Sequence, residues 1–442
     1  MTLAPLTAGR RYSAVSFLFW LPTGLSIPVQ VLLLTERGVS LAAISALFAV
    51  HSLTAAALEL PTGGLSDVLG RRAVLAASGV LTVVALALIA TGTAVWVLVV
   101  AMALKGTARA LNSGPAEAWY VDTVHAHEGP DAELRTGLAR GAAAGAAALA
   151  IGTLCGGLGP WLLGLGSDPG ARFESAVGVP VLALPLLVGA VISVFYVGYV
   201  CVALPEPPRP ATTLRQVIGG IPATVTGGIR HTARDGLVRR VVLTAAATGS
   251  ALGVVELLTP GRAADLSGTA DGGAVLYAAL SCAGFCGTAF GNRLAPLAAR
   301  LTGSGERAVL TGECTAVLGL LLLCVTAATD LAALAALGYL LVYVGLGATG
   351  PNVNEFLHRR TDSSARATVL SVQSLALQLA GAVFGMIAGA LPAGAVAWLP
   401  GVAGLVAGAL LWTRRAPAAP PASTPVPRTE NQGATAPAPS SR

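Results

Sequence analysis

The chain has 442 residues, of which 54% are apolar and only 11% charged, with a mean hydropathy of +0.74. A soluble chain of this length would carry about a quarter charged residues, so the composition excludes an ordinary aqueous globule and calls for a bilayer as solvent. The net charge of +6 comes from arginines scattered over short segments, with no basic stripe of interleaved aromatics, which argues against nucleic acid as a partner. In chain order, twelve apolar segments are long enough to span: 13–34, 40–61, 73–93, 95–121, 137–165 and 178–203, then 238–259, 273–292, 307–329, 331–357, 366–392 and 394–413. Runs of this length satisfy their backbone in lipid as helices and are too long for barrel strands. The first span follows MTLAPLTAGRR without a small-residue cleavage site and reads as retained.

Arginine placement orients the spans. About twenty arginines fall on the side of the N-terminus, against Arg37, Arg172 and Arg262 on the other. By the positive-inside rule both termini are expected in the cytoplasm, with an even number of spans in a plasma membrane. An internal repeat agrees with this count. GRRAVL begins at Gly70 and GERAVL at Gly305, and Gly114-Pro115 recurs as Gly350-Pro351 at nearly the same offset. The expected organisation is a first half, 1–203, a polar linker, 204–237, a second half, 238–415, and a Pro- and Ala-rich disordered tail, 416–442.

The segment Gly63 to Arg72 reads GGLSDVLGRR and joins spans 2 and 3. It reads as a short turn that holds a lone acid among cations. It resembles the loop between helices 2 and 3 of the major facilitator superfamily, with Gly64, Leu65, Asp67, Gly70, Arg71 and Arg72 on the motif and Val68 in place of a basic residue. In the second copy Thr302 stands where Asp67 would map. Span 4 is similar to the family's helix-4 pattern, in Arg109, Asp122 and then Arg135, with Asn112-Ser113-Gly114 replacing a common Gln-Gly. Gly159-Pro160 with Gly164 resembles a fragment of an antiporter element, although Cys155 occupies one glycine position. The resemblance implies an all-α membrane protein of twelve helices in two pseudo-symmetric six-helix halves, working by alternating access around a midplane site. It also implies a gating network of Gly64, Asp67, Gly70, Arg71, Arg72, Asp122 and Arg135.

No hydrolase elbow, phosphate loop or zincin motif is present, so no enzyme activity, cofactor or metal is expected. The six cysteines lie in apolar segments and read as packing residues. Lys105 and Arg109 are four residues apart and share a helical face, with Lys105 near the midplane. Charge at that depth is costly unless it meets water, a partner or a ligand. Lys105 reads as a substrate or counter-ion contact or as a snorkelling residue, Arg109 as a functional cation or half of a structural pair. Glu59 and Glu256 are candidate coupling carboxylates, and Glu59 alternatively anchors the Asp67 network. Glu313 is expected at the interface, and His51 as a hydrogen-bonded core residue. On the family's cavity-lining helices 1 and 10, Trp20, Gln30, Tyr339 and Tyr343 are candidate substrate contacts. The function expected is proton-coupled efflux of a small amphipathic compound by a monomer in the lipid bilayer. The alternatives are uptake of a small, anionic metabolite held by Lys105 and Arg109, or a lipid flippase or sensor.

Overall fold

The computed structural model describes residues 4–129, 132–164, 174–175, 178–206, 235–360 and 363–413. The linker from 207 to 234 and the tail from 414 lie outside them, as do the side chains of Gly64 and Asp67.

The first half runs α1 (Pro5–Ser26), α2 (Gln30–Glu36), α3 (Leu41–Leu69), α4 (Arg71–Thr91), α5 (Val95–Asn112), α6 (Pro115–Glu128), α7 (Arg135–Gly164) and α8 (Leu184–Ala203). The second runs α9 (Gly236–Ser267), α10 (Ala270–Thr302), α11 (Gly305–Thr326), α12 (Ala332–Arg360), α13 (Ser363–Ala390) and α14 (Ala395–Leu410). The pairs α1–α2 and α5–α6 each make one interrupted span. Among the described residues, eleven spans are long and apolar enough to cross a membrane; α14, apolar but only sixteen residues, completes twelve. Both ends of the described chain therefore lie on one face of the bundle, called here the near end. Large apolar side chains point outward, such as Trp96, Phe195, Phe290 and Val202, as a lipid-facing belt requires.

The repeat read from the sequence occupies equivalent places. GRRAVL opens α4 and GERAVL opens α11, the third span of each half. The two Gly-Pro copies differ. Gly114 has φ +97° and breaks span 4 into α5 and α6, whereas Gly350-Pro351 lies within the continuous α12. The expected span 95–121 is thus corrected to two helices that reach Glu128. The turn expected across 63–72 is also shorter, because α3 continues to Leu69 and Gly70 alone reverses the chain.

Two far-end arginines cap helix C-termini. Arg37 donates to the carbonyls of Ile89, Ala90 and Gly92 at the end of α4. Arg262 donates to those of Thr326 and Thr329 at the end of α11, the repeat-related helix. Cations there meet the negative end of the helix dipole and otherwise orphaned carbonyls.

The halves meet along α3–α13 and α7–α10. At the far end they share one apolar core, joining Val29, Leu33, Ile44 and Leu47 to Val254, Leu257, Ala274 and Ala388. Backbones approach closely there: a Cβ on Gly157 would lie 2.6 Å from the Ala274 carbonyl oxygen, and one on Gly389 2.6 Å from Ser45 Oγ. At the near end, among the described residues, each half has its own core. Tyr12, Trp119, Tyr120 and Tyr196 anchor one, and Leu237, Val309, Leu357 and Trp412 the other. The shared core seals the far end, and among the described residues the two halves keep separate apolar cores at the near end.

Candidate functional site

Between the halves lies a cavity of about 410 Å³, within the usual size of small-molecule sites, about 300–1,000 Å³. Lys105 on α5 stands ten residues from the far end of its helix, and Glu256 on α9 eleven. At 1.5 Å per residue both lie about 16 Å deep, near the midplane. Trp20, Gln30, Lys105, Arg109, Glu256, Tyr339 and Tyr343 all line this cavity. Seven of the eight candidate substrate and coupling residues are thereby brought together. Glu59, the eighth, is not among them.

The break in span 1 builds the site on the first half. Proline lacks an N–H, and Pro22 and Pro28 flank the point where α1 gives way to α2. Irregular backbone at membrane depth is tolerated where it lines a cavity, and here it sets Ser26 and Gln30 beside Lys105. The ammonium donates to Gln30 Oε1 at 2.7 Å and to Ser26 Oγ at 3.2 Å. The Ser26 hydroxyl donates to the Thr23 carbonyl at 2.8 Å, and the Gln30 amide nitrogen points to Met102 Sδ at 3.5 Å. The Arg109 guanidinium carbon lies 5.7 Å from the centroid of the Trp20 ring, within cation–π range.

The second half supplies Glu256 and a hydroxyl cluster. The rings of Tyr339 and Tyr343 are 4.8 Å apart, and their hydroxyls are 3.4 Å apart. Tyr277 and Ser281 line the same wall, with Ser281 Oγ buried and lacking a hydrogen-bond partner among the described residues. His51 lines the cavity too, and its Nδ1 is likewise buried and unpartnered. Its ring keeps a hydrogen bond with the Met102 backbone, as the sequence suggested, but at the cavity wall.

A second cavity of about 230 Å³ lies toward the near end, lined by Glu59, Glu117, Asn112 and Ser113 among others. Phe19, Trp20, Arg109 and Gln378 line both chambers and form the partition between them. Glu59 accepts hydrogen bonds from Ser374 and Gln378 of α13, both at 3.3 Å, so it bridges the halves.

In the gating segment, Arg71 pairs with Asp122, and its backbone N–H donates to Glu206 Oε1 at 2.8 Å. Glu206 thus caps the start of α4, a role the sequence reading missed; the signal was an acid immediately after span 6. Arg72 and Arg135 are exposed and join no ion pair among the described residues. The Asp67 expectation lies outside the described side chains, as does Gly64. Glu313 was expected at the interface. Instead it is 0% exposed, against α14, because Gly408 leaves room for its carboxylate 3.2 Å from where a Cβ would stand. Ser26, Met102, Tyr277, Ser281 and Gln378 were also missed. For Ser26 alone there was a sequence signal, the pair of prolines in span 1.

Comparison with known proteins agrees with this architecture. The chain superposes on the nucleoside transporter NupG with a TM-score of 0.72 at 13% identity, covering 92% of this chain and 98% of that one. A bacterial homolog of the human lysosomal transporter Spinster, inward-facing and unoccupied, gives 0.69 at 15% identity, covering 92% and 95%. The xylose transporter XylE from E. coli, partially occluded and inward open, gives 0.60 at 15% identity, covering 92% and 96%. Among curated proteins no sequence matches. The sequence family described as Major Facilitator Superfamily matches residues 12–386, and with twelve helices in two halves around a central cavity, the chain belongs to that superfamily.

Proposed function

We propose that this protein is a proton-coupled secondary transporter that exports a small amphipathic compound across the plasma membrane, with both termini in the cytoplasm. The carrying observation is the placement of Glu256, from one half, in the same cavity as Lys105 and Arg109, from the other. A cavity between two halves that share a core at one end only is suited to alternating access. A carboxyl group in it meets different solvent in each state, and so can take a proton on one side and release it on the other. Mostly apolar walls with a few convergent polar groups suit an amphipathic ligand. With cytoplasmic termini, the far-end seal makes this an inward-facing state.

The test uses the full chain in proteoliposomes loaded with a pH dye and challenged with a panel of amphipathic compounds. Entry of a transported compound should make the lumen more alkaline, as antiport requires. Glu256→Gln should abolish that proton movement and keep substrate counterflow. Acidification of the lumen on entry would replace export with uptake by symport. Unchanged proton movement in Glu256→Gln would remove Glu256 as the coupling group and leave Glu59 as the next candidate.

A further inference from the structure

Of the three charged side chains that line the central cavity, two are cations. Neither Lys105 nor Arg109 forms an ion pair with any described residue. Lys105 spends its hydrogen bonds on two neutral oxygens, Gln30 Oε1 and Ser26 Oγ. An ammonium has three donors, so one remains beyond these two contacts. Both acceptors are themselves fixed, Ser26 through the Thr23 carbonyl and Gln30 through Met102. The ammonium is therefore held in place by dipoles, without a counter-charge. Arg109 rests on the face of Trp20.

From this we infer that the substrate is an amphipathic organic anion whose negative group docks on Lys105 beside Ser26 and Gln30, with its apolar body against the aromatic wall. The inference rests on the transporter reading given above and names the substrate class of that same cavity. Charge bookkeeping decides it. When the cavity closes on a ligand and water leaves, each ion must find a partner in low dielectric. An organic cation would add a third positive charge to a chamber with one carboxylate. A neutral ligand would leave an ammonium desolvated and uncompensated. An anion supplies the missing charge. The chemistry fits a carboxylate, sulfonate or phosphate equally, since each accepts from an ammonium.

The experiment is calorimetric binding to the purified full-length protein in detergent. The probes are three compounds of one shape: 1-naphthoate, 1-naphthamide and 1-naphthylmethylammonium. The expected order is anion first, amide second, ammonium last, with about tenfold or more between the first two, the scale of a hydrogen bond to a charged group. Lys105→Gln should remove the preference for the anion over the amide, and Lys105→Arg should restore much of it. Equal affinity of anion and amide, tighter binding of the ammonium, or no binding by any probe would overturn the inference. So would a preference that survives in Lys105→Gln. The wild-type order is decisive even if the variants do not fold. Counterflow with the same probes separates the two readings: an anion that binds but never crosses sinks transport and keeps the anion site. Transport of the amide or the ammonium without preference for the anion sinks the anion class alone.

Discussion

At the scale of single residues, Glu313 shows how a membrane protein tolerates a buried acid away from its working cavity. Its two carboxylate oxygens are buried and lack hydrogen-bond partners among the described residues. An ionised carboxylate in that setting would be uncompensated, at a cost of several kcal/mol. Replacing an unpartnered buried polar group with an apolar one of similar volume is neutral or stabilising, by up to about 1–3 kcal/mol. Glu313→Gln and Glu313→Leu should therefore melt at or above the wild-type temperature in detergent, with counterflow retained. A drop of several degrees in both would show that the carboxylate makes contacts the described residues do not contain. Arg71 and Asp122 present the opposite case. Asp122 is 46% exposed, so their pair is screened and worth at most about 1 kcal/mol. It lies at the start of α4, next to the Glu206 cap.

At the scale of elements, the repeated Gly-Pro pair gives a contrast that the sequence could not rank. Both copies were legible as repeats, because dipeptide identity and offset survive in the chain. What differs is the backbone: φ +97° at Gly114 against helical backbone at Gly350. Side chains are disfavoured at positive φ by about 1–2 kcal/mol, so Gly114→Ala should lower stability by about that amount. Gly350→Ala meets no atom beyond its chain neighbours, and the usual gain from Gly to Ala in a helix is offset by the crowding of a Cβ before Pro351, so its stability should change less. In thermal melts Gly114→Ala should lose the more stability of the two; a larger loss in Gly350→Ala would refute the assignment of the break to Gly114. The same limit explains other gains and misses. Lys105, Arg109 and Glu256 stood out because charge is rare and costly at membrane depth. Ser26, Gln378 and Ser281 did not, because a small polar residue in an apolar run is unremarkable until a neighbouring helix is placed beside it. Likewise the contacts of Glu59 with Ser374 and Gln378 were not legible, because those residues lie more than three hundred positions away.

At the scale of the whole molecule, helix number and the two-half plan follow from hydropathy, arginine asymmetry and the repeat, which are all one-dimensional signals. The state of the transporter is not one-dimensional, because the same helices compose every state and only contacts between halves distinguish them. Here those contacts are concentrated at the far end, where Gly389 meets Ser45 and Leu41. A Cβ on Gly389 would stand 2.9 Å from the Ser45 Cβ, somewhat closer than the roughly 3.5–4.5 Å of a disulfide, a gap that a small outward shift supplies. In a cysteine-free background, Ser45→Cys with Gly389→Cys should therefore cross-link rapidly under mild oxidation. The bond would hold the far end shut and so should abolish counterflow, with recovery on reduction, because alternating access requires that end to open. The single variants control for the tight contact at Gly389. Rapid cross-linking with undiminished counterflow would mean that the far end is not a gate. Failure to cross-link, with the single variants folded and active, would mean that the sealed state is scarcely populated in the membrane.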